Sequence, residues 1–188
     1  MNRRVPQVKP RSRVWIEQRA EAVLQRLIPE KIPLTGPVDI LRIFDRLDLI
    51  DPNLIPGVED LNGDLLGQMS PSGEVFLSPQ TYAGVLDGSP RARFTTAHEC
   101  GHAVLHFSQL KSKLTDGGMR LYRRSELPAY RDPEWQANAF AAAILMPAVA
   151  VRRLVENVPG NRELAIARYF EVSQESAGIR LNTLKLNP

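Results

Sequence analysis

The sequence predicts an α+β fold, a compact domain with a small antiparallel sheet and a helical annex at its C-terminus. Three observations carry that reading. Two long segments repeat apolar residues at helical spacing. One short stretch reads as two strands about a Pro-Ser-Gly turn. Residues 158–188 hold two apolar helical runs separated by a short break. The 188-residue length suits one such domain and is enough to bury a core without disulfides. With 43% hydrophobic and 24% charged residues, the chain falls among ordinary soluble globular proteins rather than disordered or fibrous ones.

Taken in order, Val14, Ile16, Ala20, Val23, Leu24, Leu27 and Ile28 predict a first helix that Pro29 stops. Pro37 sits where a first helical turn tolerates proline, ahead of Val38, Ile40, Leu41, Ile43, Phe44 and Leu47. Residues 48–62, with Pro52, Pro56 and Gly57, read as a loop. A hairpin follows, Asp64–Ser70 and Glu74–Ser78 around Pro71-Ser72-Gly73. Asp87-Gly88-Ser89-Pro90 supplies cap and first-turn chemistry for a long helix reaching about Phe107. Residues 108–132 are polar and basic, and are expected to form a mobile loop. Asp132-Pro133 then starts a second strong helix through Ala137, Phe140, Ala141, Ile144 and Leu145, ending near Met146-Pro147. Two or three helices complete the chain. The expected organisation is a basic disordered tail over 1–12, a main domain over 13–157 and a helical hairpin over 158–188.

The sequence pI is about 9.2, but the charge is concentrated. Arg3, Arg4, Lys9, Arg11 and Arg13 fall in residues 1–13 without an acid, so against a formal total of +3 the remainder carries −2. The folded body is therefore not a basic surface for phosphate, and direct nucleic-acid binding is not expected. The single cysteine, Cys100, cannot form an intramolecular disulfide. No apolar run reaches the length of a membrane span, and the N-terminus lacks the apolar segment of a signal peptide. A cytoplasmic protein without membrane attachment is expected.

The first long helix carries TTAHECGHAVLHF, residues 95–107, which contains His98-Glu99-x-x-His102. Two histidines four apart lie on one helical face and can converge on one ion at about 2.0–2.1 Å. Glu99 projects about 100° around the helix, where it is placed to take a proton from a metal-activated water rather than to ligate. Cys100 points away from the histidines and reads as a small buried thiol. All three histidines of the chain fall within residues 98–106. His106 does not suit as third ligand, because on a continuous helix it stands about 12 Å of rise from His98. The alternative that breaks the helix at a glycine, with a histidine six residues beyond the second, finds Leu105 and Ser108 at those places. A glutamate from the second helix, in DPEWQANAFAAAILMP, remains. Glu134 and Asn138 share a face, so the carboxylate can reach the metal while the amide orients a ligand ring. Gly101, Ala137, Ala141, Ala142 and Ala143 allow the two helices to pack closely.

RARFTTAHECGHAVLH and, 32 positions after His102, EWQANAFAAAILMP resemble the ImmA/IrrE family of zinc metallopeptidases over roughly residues 37–156. The resemblance implies a thermolysin-like minimal fold and Zn²⁺ on His98, His102 and Glu134. It also implies Glu99 as catalytic residue, while Asn138 keeps the supporting role its spacing gives it and no small-molecule cofactor is expected. It further implies a protein substrate, a helix-turn-helix repressor whose cleavage frees its genes. Two positions depart from the family pattern: Cys100 stands where leucine is commoner, and Gln136 where a second acid is frequent. Tyr122, Tyr130 and Arg131 are candidates for stabilising an oxyanion. The strand Glu74–Ser78 offers an edge for an extended substrate.

A competing reading starts from the C-terminus. Leu164, Ala167 and Phe170, then Glu171-Val172-Ser173, then Ile179, Leu181 and Leu184, have helix-turn-helix spacing with Ser173 as N-cap. The turn carries Glu171 where glycine is usual, and Glu175 would face phosphate. A hairpin packed on the main domain or docking a repressor is the favoured form. The alternative is a DNA-binding or toxin–antitoxin-type regulator whose zinc site is structural or degenerate.

Overall fold

The computed structural model describes residues 4–115, 121–158 and 160–186. Its elements run β1 (Arg4–Pro6), α1 (Arg13–Leu27), α2 (Ile40–Phe44), β2 (Ile55–Val58), β3 (Gly67–Met69), β4 (Glu74–Leu77), α3 (Pro79–Leu86) and α4 (Pro90–Thr115). They continue with β5 (Leu121–Arg123), α5 (Pro133–Leu145), α6 (Ala148–Glu156), α7 (Arg162–Phe170) and α8 (Gln174–Leu184). The α+β class is met by eight helices and two small sheets among the described residues. No single helix among them is long and apolar enough to cross a membrane.

The helix starts follow from local chemistry. Ser12 caps α1 by accepting from the Trp15 N–H, and Asp132 caps α5 by accepting from the Glu134 N–H with Pro133 in the first turn. Before α4, Gly88 at φ 74° turns the chain and Ser89 Oγ accepts from the Ala92 N–H. One helix escaped the sequence reading. Ser78 accepts from the Thr81 N–H and Pro79 fills the first position of α3, so the Ser-Pro pair was its signal.

The hairpin forms as β3 and β4, antiparallel, with Gly67 opposite Leu77 and Met69 opposite Val75. The predicted loop 48–62 contributes β2, which pairs in parallel with β4 and makes the sheet order β2-β4-β3. Pro56 is tolerated there because β2 is an edge strand. Glu74–Leu77 is thus the central strand, not the edge expected for substrate. The edge on the side of α4 is β3.

The expected mobile loop 108–132 is corrected by the structure. Helix α4 continues to Thr115, burying Leu110, and β5 and two short 3₁₀ turns, Arg124–Glu126 and Ala129–Arg131, lead into α5. Residues 116–120 lie outside the described residues. The expected disordered tail is corrected as well, for residues 4–12. Here β1 pairs antiparallel with β5, and Val5 and Val8 are buried. The Val8 N–H donates to Arg131 O, the Lys9 N–H to Gln109 Oε1 and the Arg11 N–H to Tyr130 O. The arm and the extra turns of α4 thus satisfy each other's polar groups.

One continuous core includes Ala97, Cys100, Ala103 and Phe107 of α4 together with Ala137, Phe140, Ala141 and Ile144 of α5. Two buried arginines tie the C-terminal hairpin to it. Arg93 Nη2 donates to Val38 O and its Nε to Glu171 O. Arg180 pairs with Glu17 on α1 and donates to Met146 O. Glu171 takes the left-handed conformation, φ 53° and ψ 51°, where helix-turn-helix turns usually place glycine, and Ser173 caps α8 as expected.

Candidate metal centre and active site

Helix α4 brings His98 and His102 to one face, one turn apart, and their Nε2 atoms stand 3.0 Å from each other. Helix α5 delivers Glu134 opposite them, with Oε2 3.6 Å from His98 Nε2 and Oε1 3.5 Å from His102 Nε2. The ligand atoms of the three residues all lie within 4.8 Å of one another. Bonds of 2.0–2.1 Å to a tetrahedral ion would separate ligand atoms by about 3.3–3.4 Å, so the spacing fits.

The ring orientations fit too. His98 Nδ1 stands 2.9 Å from Asn138 Oδ1, which accepts its proton and turns Nε2 toward Glu134. His102 Nδ1 is engaged in the same way, by His106 Nδ1 at 3.1 Å. Two imidazole nitrogens 3.0 Å apart beside a carboxylate favour a positive charge between them. Burial opposes charge on His98, but hydrogen bonding to Glu134, the nearby Glu99 charge and Asn138 outweigh it and raise its pKa. The field of the site is therefore one that attracts a cation.

Glu99 is buried and leaves the ligand face, as its place on the helix requires. Gly67 of β3 stands against it. A Cβ on Gly67 would come within 2.6 Å of Glu99 Cγ and 3.3 Å of Glu99 Oε1. The side chain of Glu99 thus occupies the space between α4 and the edge strand. Gly101 lets α5 approach, since a Cβ there would meet Ala137 Cα and O at 3.1 Å and Phe140 Cδ1 at 3.2 Å. Cys100 is fully buried on the opposite side, and burial pushes its thiol pKa up, away from thiolate chemistry.

The family model Peptidase_M78, the IrrE N-terminal-like domain, matches residues 84–182. The chain belongs to this ImmA/IrrE family. No curated protein matches it. The Peptidase_M78 match starts inside α3 and runs through α4, α5 and the C-terminal hairpin, so it contains every residue named at the metal centre. It leaves out Gly67 and the N-terminal arm.

Gln136, where the resemblance led to the expectation of a second acid, stands apart from the His98, His102 and Glu134 cluster. It is buried, with Oε1 3.1 Å from His106 Nε2 and Nε2 donating to Lys9 O and Tyr130 O. His106 lies outside the ligand cluster, as helical rise demands, and supports His102. Tyr122 lies on β5, paired with Val5, while the Tyr130 and Arg131 carbonyls tie down the N-terminal arm. Sequence reasoning missed Gln136 as a structural partner of the site. Its signal was a buried position on α5 occupied by an amide.

Burial lowers the pKa of His106 from 6.5 to about 4. The unfolded chain takes up this proton near pH 6.5, whereas the folded chain resists it until about pH 4. The associated stability is present above pH 6.5 and lost as pH falls through that window. The loss is on the order of 3 kcal/mol. Urea unfolding of the metal-free protein is expected to show this slope in the parent. It should be missing in His106→Phe, once the carboxylate titration common to both is subtracted.

Proposed function

We propose that this chain is a zinc-dependent endopeptidase, with His98, His102 and Glu134 holding the metal, Glu99 as the catalytic residue and Asn138 orienting His98. The observation that carries the reading is the convergence of His98 Nε2, His102 Nε2 and the Glu134 carboxylate from two helices, with Glu99 set beside them. Two imidazoles, one carboxylate and a remaining coordination position make a donor set of catalytic zinc. Zn²⁺ held by these residues would supply Lewis acidity for activating water and polarising a carbonyl.

The protein's own groups do the rest. Glu99 accepts the proton released by the attacking water and passes it to the leaving amine nitrogen. The outer edge of β3 accepts the substrate as an added extended strand, which brings its backbone past Glu99 at Gly67. The absence of a side chain at Gly67 keeps that path and the carboxylate's position open. The substrate suggested by the family resemblance is a helix-turn-helix repressor, so that cleavage releases the repressed genes.

The competing reading, a DNA-binding or toxin–antitoxin-type regulator with a structural site, is disfavoured by Glu99. A structural site has no use for a buried carboxylate set beside the ligand cluster, close enough to raise the pKa of His98. The hairpin is also committed to packing, since Ala177, Gly178, Arg180 and Leu181 of α8 are buried.

The first test is zinc per chain in the purified protein and in Glu134→Ala, after equal dialysis against a mild chelator. Near one zinc in the parent and clear loss in the variant are expected. A parent that holds none and cannot be reloaded ends the peptidase reading. Co-expression with candidate helix-turn-helix repressors, with Glu99→Gln as control, then tests the substrate class.

A further inference from the structure

The amide of Gln136 has its orientation fixed by what surrounds it. One end lies 2.9 Å from Lys9 O and 2.8 Å from Tyr130 O. Carbonyl oxygens only accept, so that end is the NH₂ and the other is the oxygen. The amide oxygen also only accepts, and it stands 3.1 Å from His106 Nε2. The proton of this bond therefore belongs to His106 Nε2. His106 is fully buried with its Nε2 on an uncharged amide, and a neutral imidazole protonated at Nε2 keeps a lone pair on Nδ1. That lone pair faces His102 Nδ1 at 3.1 Å, and His102 must be the donor. A neutral His102 with its proton on Nδ1 has Nε2 unprotonated, facing His98 Nε2 and Glu134.

We propose that the Lys9 and Tyr130 carbonyls, acting through Gln136 and then His106, fix the tautomer of His102 and hold its Nε2 lone pair toward the metal position. Gln136 and His106 are positioning residues. The inference rests on the metal-centre reading for its purpose, though not for its geometry. It explains two features that packing does not. An apolar side chain would fill the place of His106 at less cost than a buried imidazole. The amide at position 136 meets needs that an acid could not, because a carboxylate has no proton to give Lys9 O and Tyr130 O. His98 reaches the same state by a single bond to Asn138. His102 faces its own helix, so its orientation passes through a second histidine to α5 and the N-terminal arm.

The chain has three histidines, so their ring protons can be assigned one by one. Long-range proton–nitrogen correlation spectra of the ¹⁵N-histidine-labelled, metal-free protein at mildly alkaline pH are expected to show His102 protonated at Nδ1 and His106 at Nε2. His102 protonated at Nε2, or His106 at Nδ1, overturns the relay. Zinc affinity by chelator competition gives a second readout. His106→Phe fills the space without an acceptor and is expected to weaken zinc binding by about 10–100-fold. His106→Asn places its side-chain oxygen where Nδ1 stood and is expected to restore most of that loss. Equal loss in both variants, with folding intact, reduces His106 to packing and overturns the proposal. If His106→Phe does not fold, the spectra of the unaltered protein decide. The expected tautomers in a protein that binds no zinc uphold the relay and remove the metal reading, whereas the wrong tautomers in a protein that binds zinc remove the relay alone.

Discussion

Glu99→Gln is expected to lower peptide hydrolysis by about 10²–10⁴-fold, the usual contribution of a general acid–base group, while leaving the metal content unchanged. Glutamine has nearly the shape of glutamate, so the space between α4 and β3 stays filled. What it lacks is an oxygen able to take a proton and return it. The proposed metal donors are other residues, and Asn138 and His106 still hold the two imidazoles. A matched experiment acts on position rather than chemistry. In Gly67→Val the new side chain must enter the space where a Cβ would stand 2.6 Å from Glu99 Cγ. The carboxylate is displaced, so hydrolysis should fall while zinc stays bound. Measuring cleavage beside zinc per chain separates both variants from those that lose the ion. Hydrolysis within a few-fold of the parent in Glu99→Gln would remove Glu99 from the chemistry.

The cluster of His98, His102 and Glu134 was legible because its information is local to two helices. A four-residue spacing fixes His98 and His102 on one face, and the same spacing relates Glu134 to Asn138. The small residues Gly101 and Ala137 gave away that the two helices approach. Other features depend on partners far along the chain. Residues 4–12 read as a solvated basic tail because their hydrogen-bond partners, Gln109, Tyr130, Arg131 and Gln136, are about 100 residues or more away. β1 and β5 are three residues long each, too short for alternation to register. Ile55-Pro56-Gly57-Val58 carries the composition of a loop, and only its register against Glu74–Leu77 makes it a strand. The place of Gln136 was readable as a buried amide. Its connection to His106 was not, since a side-chain rotamer decides which atom meets which ring.

Gly101→Val is the second large effect expected, and it touches no ligand. Gly101 lies between His98 and His102 on α4, and Ala137, its neighbour across the interface, is one turn from Glu134 on α5. The interhelix distance at Gly101 therefore sets the distance from Glu134 to the two imidazoles. A Cβ at position 101 already presses on the Cα and carbonyl oxygen of Ala137 at 3.1 Å. Backbone atoms cannot rotate aside as a side chain can, so the methyl groups of valine must move one helix away from the other. Such overpacking costs roughly 1–3 kcal/mol of stability. The functional cost is larger in kind, because a bond to zinc tolerates a few tenths of an ångström at most. The variant should fold with a lowered melting temperature and retain no zinc after dialysis, and Gly101→Ala should fall between it and the parent. Cys100→Ala is the control. It alters a buried position on the same helix, facing away from α5's carboxylate, and should lower stability modestly while leaving zinc affinity as it was. Zinc bound by Gly101→Val as tightly as by the parent would mean that the helix spacing is not what positions Glu134.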